Sequence, residues 1–329
     1  MIICQPDDAL SDQAWAAIQA WEARENSVLY SFVCEEAITP HLISHALCDS
    51  DPRLPAPRVD VILQSLGGDI EAAYKLLTHL HGDCAELRVF IPDYAKSAAT
   101  FFALGAHEIW LGRDAELGPL DAQIIDPRHA DEYMSALEQF GAIDYLRQHG
   151  YEMLDQFVMT TLRRTNMTIE GVLSHAVEYT TGMMQALYNN VDPLDFGRAH
   201  RSLSMSEEYG RRVMTRYGYA DRPPSEVREI VRTLTWNYPS HSFVIDYEEA
   251  EEIGLRVRRM TDEMEDNLMA LLPGITTAIG YFGRRRNDEQ AVPPETQGDT
   301  GEGDGRPPRR PIGQTNGHRR RGRTPRSHA

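Results

Sequence analysis

Hydrophobic and polar positions divide the chain into segments of two periods. Leu10, Trp15, Ile18 and Trp21 recur at helical spacing behind Asp7 and Ser11, which predicts an amphipathic helix over Asp8–Arg24. Ser27–Val33 (SVLYSFV) reads as a strand, Pro40–Cys48 as a second helical stretch, and the Pro-rich loop Asp51–Pro57 leads into a strand over Val59–Gln64 (VDVILQ). Gly67-Gly68 and an amphipathic helix over Ile70–His81 follow. The unit then repeats: strand Leu87–Ile91 (LRVFI), turn Pro92–Lys96, a helix of small and apolar residues over Ser97–Gly105, and the short strand Glu108–Leu111. Strands and helices alternating at this length predict an α/β fold with parallel strands joined by right-handed crossovers.

From about His129 the period lengthens. Helical patterns cover Ala130–Gln148, Tyr151–Arg163, Ile169–Asn189, Ser206–Tyr217 and Ser225–Thr235, and Tyr238–Val257 reads as turn, short strand, short helix and final strand. The expected organisation is an α/β core over 1–128, a helical region over 129–235, a return to the core with an apolar segment over 236–283, and a disordered Arg/Pro/Gly-rich tail over 284–329.

Charge is distributed unevenly. The chain of 329 residues carries a formal net charge of -17, but Arg284–Ala329 holds 11 Arg and 6 acidic residues, leaving the preceding 283 residues at -22. Such a body repels phosphate backbones, so contact with nucleic acid or anionic lipid is expected only through the tail. Cys4, Cys34, Cys48 and Cys84 form no C-x-x-C pair and suit a reducing cytosol, and the acidic start MIICQPDDAL lacks the pattern of an export signal. A cytoplasmic protein is expected, with membrane association left open by Asn267–Gly283. That stretch is uncharged over 17 residues but interrupted by Pro273-Gly274.

The candidate chemistry lies where the two strand–helix units turn. Gly67-Gly68 and Ser97 are 30 residues apart, so both turns should emerge at the same carboxyl edge of neighbouring parallel strands, where ligands bind in such sheets. Paired glycines let backbone N–H groups point outward, and a serine at a helix start sits beside further free amides. A hydroxyl next to two sets of amide donors suits acyl transfer. The bland alternatives are a tight glycine turn and a serine that merely caps its helix. No phosphate loop, zinc helix or dinucleotide fingerprint is present, and no metal or organic cofactor is implied.

LQSLGGDIEAA, IPDYAKSAATFFALGAHEIWLG, ELGPLDAQ and DYEEAEEIGLRV, in this order, resemble the serine dehydrogenase proteinase family, relatives of signal peptide peptidase A in the Clp protease/crotonase superfamily. The resemblance implies a Clp/crotonase-like spiral of strands and helices with a helical insertion. It also implies a serine peptidase acting on peptide or protein substrates through an acyl-enzyme on Ser97, with Gly67, Gly68 and Ala98 supplying the oxyanion amides. Leu66 stands where the family usually has Pro, and Ala99 where it usually has Gly. The Clp-type histidine is missing from Glu116–Gln123, where Asp121 is the nearest substitute, and the only lysines are Lys75 and Lys96. His241 lies near where the Clp-type triad places its Asp, so His241 or Asp121 is expected as base or orienting partner to Ser97. Such folds assemble into oligomers, for which the apolar helices of Ala130–Asn189 offer surfaces. A catalytically silent scaffold and a crotonase-like acyl-thioester enzyme are the alternatives.

Overall fold

The computed structural model describes residues 12–34, 37–41, 43, 53–126 and 129–275. Helix α1 (Asp12–Glu25) leads into β1 (Val28–Cys34), which lies parallel to β2 (Ala56–Ser65) from Val28↔Val59 to Cys34↔Ser65. β2 is buried without interruption over Val59–Leu63, as a parallel strand covered on both faces should be. Its alternate residues point to different cores. Val59, Val61 and Leu63 join the larger one with α2 (Ile70–Asp83), and Ile62 joins Ile18, Trp21, Leu29, Phe90 and Leu268 on the other side. Asp60 shares that second face. There its carboxylate accepts from Arg88 Nε and a terminal guanidinium nitrogen, both at 2.7 Å, from Trp21 Nε1 at 2.9 Å and from Ser27 Oγ at 2.6 Å. Four donors satisfy a charge that burial would otherwise make costly.

Two breaks in step give the sheet its curl. β3 (Cys84–Ile91) pairs in parallel with β2, stops at Pro92 and resumes as β4 (Tyr94–Ala95). After α3 (Ala98–Leu104), β5 (Glu108–Leu111) stops at Gly112 and resumes as β6 (Glu116–Leu117). β5 pairs with β3 and β6 with β4, again in parallel. Gly112 N–H donates to Ile91 O at 2.9 Å and Glu116 N–H to Asp93 O at 2.8 Å, so the second break follows the first. A Cβ at Gly112 would stand 2.5 Å from Pro92 O, so the crossing has no room for a side chain. β4 meets β2 at Ser65↔Ala95 alone. The serine turn and the glycine turn therefore leave adjacent strand ends, as the 30-residue spacing predicts.

The 129–235 region departs from its helical pattern at the start. Residues His129–Ser135 form a strand, β8, antiparallel to β7 (Gln123–Asp126), where the pattern predicts helix from Ala130. Helix α4 (Ala136–Arg164) begins only behind Ser135, whose Oγ accepts from Leu137 N at 3.1 Å. It then runs through Gly150, where a break was expected, and Met184 of α5 (Ile169–Tyr188) lies beside that glycine. α6 (Pro193–Arg216) starts well before the expected Ser206, with Asp192 as N-cap and Pro193 in the first turn. α6 and α7 (Pro224–Trp236) belong to the main core, through Val213, Met214, Val227 and Val231. α8 (Tyr247–Glu252) and β9 (Val257–Arg259) follow, β9 pairing with β5. α9 (Asp262–Ile275) continues past Pro273, two residues from its end, where the missing N–H removes a single helical bond. Among the described residues no helix is long and apolar enough to cross a membrane. The expectations for 276–283 and for the tail, and most of Pro40–Cys48, lie outside the described residues.

Candidate active site

Ser97 is where the local rules are broken. Its backbone sits at φ 51°, ψ -118°, a region that costs a non-glycine residue about 1–3 kcal/mol. The surroundings hold it there. Lys96 N–H donates to Ser65 O at 3.0 Å, Ala99 N–H to Lys96 O at 2.9 Å, and Phe101 N–H to Ser97 O at 2.9 Å. Thr100 Oγ1 donates to Ala95 O at 2.6 Å and accepts from Gly118 N at 3.1 Å. All seven residues of α3 are buried, so the turn cannot relax by moving the helix. Ser97 stands at the N-cap position yet makes no capping bond with its side chain, which removes the bland reading of a serine that merely caps. A serine on a strained strand-to-helix turn is also how α/β-hydrolases expose their nucleophile.

The glycine turn closes onto the serine turn. Gly67 has φ 98°, and a Cβ there would lie 2.6 Å from Lys96 O, 2.8 Å from Ser97 Cβ and 2.9 Å from Ala98 N. Gly68 has φ 141° and is flanked by Ile38, whose N–H donates to Gly67 O at 2.7 Å and whose carbonyl accepts from Asp69 N at 2.8 Å. Gly67 N–H is taken by Ser65 Oγ at 3.1 Å. The N–H groups of Gly68 and Ala98 donate to no protein acceptor among the described residues. Of the three expected oxyanion amides, two are thus open and the Gly67 amide is engaged in holding the turn.

Asp121 and His241, 120 residues apart, are brought together. Leu117 and Ile245 form an antiparallel bridge, with N–H···O distances of 2.8 and 3.1 Å in the two directions. Four residues onward from Leu117 is Asp121, and four residues back from Ile245 is His241. Both segments leave this isolated bridge on the same side, and His241 Nδ1 lies 2.9 Å from Asp121 Oδ1. Asp121 is 1% exposed, and its other oxygen accepts a short hydrogen bond from Ser135 Oγ. With Nδ1–H donating to this carboxylate, the imidazole is fixed as the tautomer whose Nε2 can accept a proton. Ser135 did not emerge from the helical pattern, although its capping box with Glu138 (S-A-L-E) marks it as a helix start.

Lys96 is unsuited to be a base. Its ammonium pairs with Glu116 Oε1 at 2.8 Å and donates to Leu117 O at 3.1 Å. Lys75 is exposed on α2. No cluster of three metal-ligating side chains occurs among the described residues.

Comparison with known proteins bears on these turns. Two curated relatives are uncharacterized proteins of Methanocaldococcus jannaschii. One, MJ0137, is 26% identical over 213 residues, covering 65% of this chain and 58% of the relative. The other, MJ1495, is 36% identical over 66 residues, covering 20% and 23%. The chain thus spans less than two thirds of either relative's length. Among solved structures, a mutant of the 1510-N membrane-bound stomatin-specific protease aligns with 73% of this chain and 83% of its own, at 12% identity and a TM-score of 0.38. The stretch 51–148, which holds Gly67, Gly68, Ser97, Ala98, Asp121 and Ser135 but not His241, matches the family model of the ClpP-like SDH-type serine proteinases.

Proposed function

We propose that the protein is a serine peptidase working through an acyl-enzyme. Ser97 Oγ attacks a peptide carbonyl while His241 Nε2 takes its proton, and the oxyanion that forms is held by the N–H groups of Gly68 and Ala98. Asp121 keeps the His241 tautomer and stabilises the imidazolium, and Ser135 keeps Asp121 in place. The imidazolium gives its proton to the departing amine. Water, deprotonated by the same nitrogen, then releases the acid and restores Ser97. The observation that carries this reading is the strained Ser97 turn, whose side chain makes no capping bond, packed against Gly67. The matched family supports peptidase activity at the same level.

A homo-oligomer fits this reading. Ile169, Leu173, Val177, Met183 and Leu187 leave apolar side chains exposed along α5, far more than a solvated helix needs. The deciding assay is cleavage of a quenched-fluorescence peptide mixture, with product termini identified by mass spectrometry. Cleavage lost in Ser97→Ala supports the peptidase. Absence of cleavage supports a silent scaffold, and hydrolysis of acyl-coenzyme A that survives Ser97→Ala supports the thioester enzyme.

A further inference from the structure

The carbonyl oxygen of Leu117 is a meeting point of three elements. It lies on β6, which leads to Asp121; it accepts from Ile245 N at 3.1 Å, on the segment that carries His241; and it accepts from Lys96 Nζ at 3.1 Å, on the residue before Ser97. The lysine stem reaches it by passing beneath Gly118, where a Cβ would lie 2.7 Å from Lys96 Cδ and 3.3 Å from Lys96 Cα. Glu116 Oε1 completes the site at 2.8 Å from the ammonium, and the Lys96 side chain is only 11% exposed. A buried ammonium is costly to hold, and the fold holds it with one carboxylate and one backbone oxygen.

We infer that Lys96 is a positioning residue: its ammonium ties the Ser97 turn to the strand and segment that carry Asp121 and His241, and so sets the distance across which the proton moves. The inference rests on the peptidase reading above. A lysine salt bridge that served stability alone would not need to end on the carbonyl shared by both other elements, nor to pass under a glycine.

The test is the rate at which a fluorophosphonate labels Ser97 in the full chain, measured against probe concentration and pH. Lys96→Met keeps the apolar stem and removes the donors. Its maximal labelling rate should fall roughly 10- to 100-fold, the usual cost of an ångström-scale misplacement, with half-saturating probe concentration within about threefold of wild type. The shape of the pH–rate profile should not change, and Lys75→Met should label as wild type. Labelling of Lys96→Met at the wild-type rate overturns the inference. So does a profile that loses its inflection, which would make Lys96 the base itself. If Lys96→Met does not fold, Gly118→Ala crowds the same stem without removing charge and should slow labelling in the same direction; an unaffected rate there is equally contrary. Wild-type protein that never labels removes the peptidase reading itself, a result distinct from a labelled wild type with an indifferent Lys96.

Discussion

Replacing Gly67 with alanine perturbs the serine turn without removing a reacting group. At φ 98° an alanine loses about 1–2 kcal/mol to backbone strain. The added methyl carbon also meets three atoms at 2.6, 2.8 and 2.9 Å, namely Lys96 O, Ser97 Cβ and Ala98 N. Two are backbone atoms fixed by the bonds to Ser65 and within α3, so they cannot swing aside as a side-chain tip would. Overpacking of this kind costs about 1–3 kcal/mol, which brings the total to about 2–5 kcal/mol. For a domain of this size that is a drop of roughly 4–20 °C in the thermal midpoint. Gly182→Ala is the control: it is helical, in α5, with nothing within 4 Å of the new carbon, and should stabilise by about 0.5–1 kcal/mol. Differential scanning fluorimetry of both variants decides the matter. A Gly67→Ala midpoint equal to wild type would mean that the two turns are not in contact, and the site as built here would fall with it.

Asp121→Asn keeps the shape of the pair but loses the carboxylate that fixes His241. Fluorophosphonate labelling should drop by roughly 100- to 10,000-fold, against little change if Asp121 is only a structural cap. His81 should make stability depend on acid. Burial, with His107 and Arg216 nearby, pulls its pKa from 6.5 to about 4 despite the 2.8 Å contact of Nε2 with Gly105 O. The unfolded chain therefore binds the extra proton, so this contribution is complete above about pH 6.5 and is lost as pH falls towards 4. After allowance for partial exposure it amounts to about 2 kcal/mol. Urea midpoints at pH 7 and 4.5 should separate more in wild type than in His81→Gln, and equal separation would contradict it. Light scattering should show an oligomer at micromolar concentration that Leu173→Glu with Met183→Glu reduces in mass; a monomeric wild type would count against the α5 surface.

The strand–turn–helix units were legible because apolar runs and glycines punctuate them: β2, β3 and β5 lie within a few residues of their expected bounds, and the 30-residue spacing located both turns. β4 and β6 were not, since two-residue strands have no period and exist only because Pro92 and Gly112 break longer ones in step. β8 was hidden because HADEYMS carries too few apolar positions to separate a period of two from one of 3.6. The pairing of Asp121 with His241 joins residues 120 apart in the chain, a long-range fact with no local signature. The strain at Ser97 likewise depends on packing around α3, which no residue type announces.

The most direct measurement is the intact mass of the purified chain after fluorophosphonate treatment, beside Ser97→Ala and His241→Ala. A single adduct on the wild type, absent from Ser97→Ala and strongly slowed in His241→Ala, is the expected result. A wild type that gains no mass at neutral or mildly alkaline pH, or an adduct that persists in Ser97→Ala, would contradict the claim that this turn holds an activated serine.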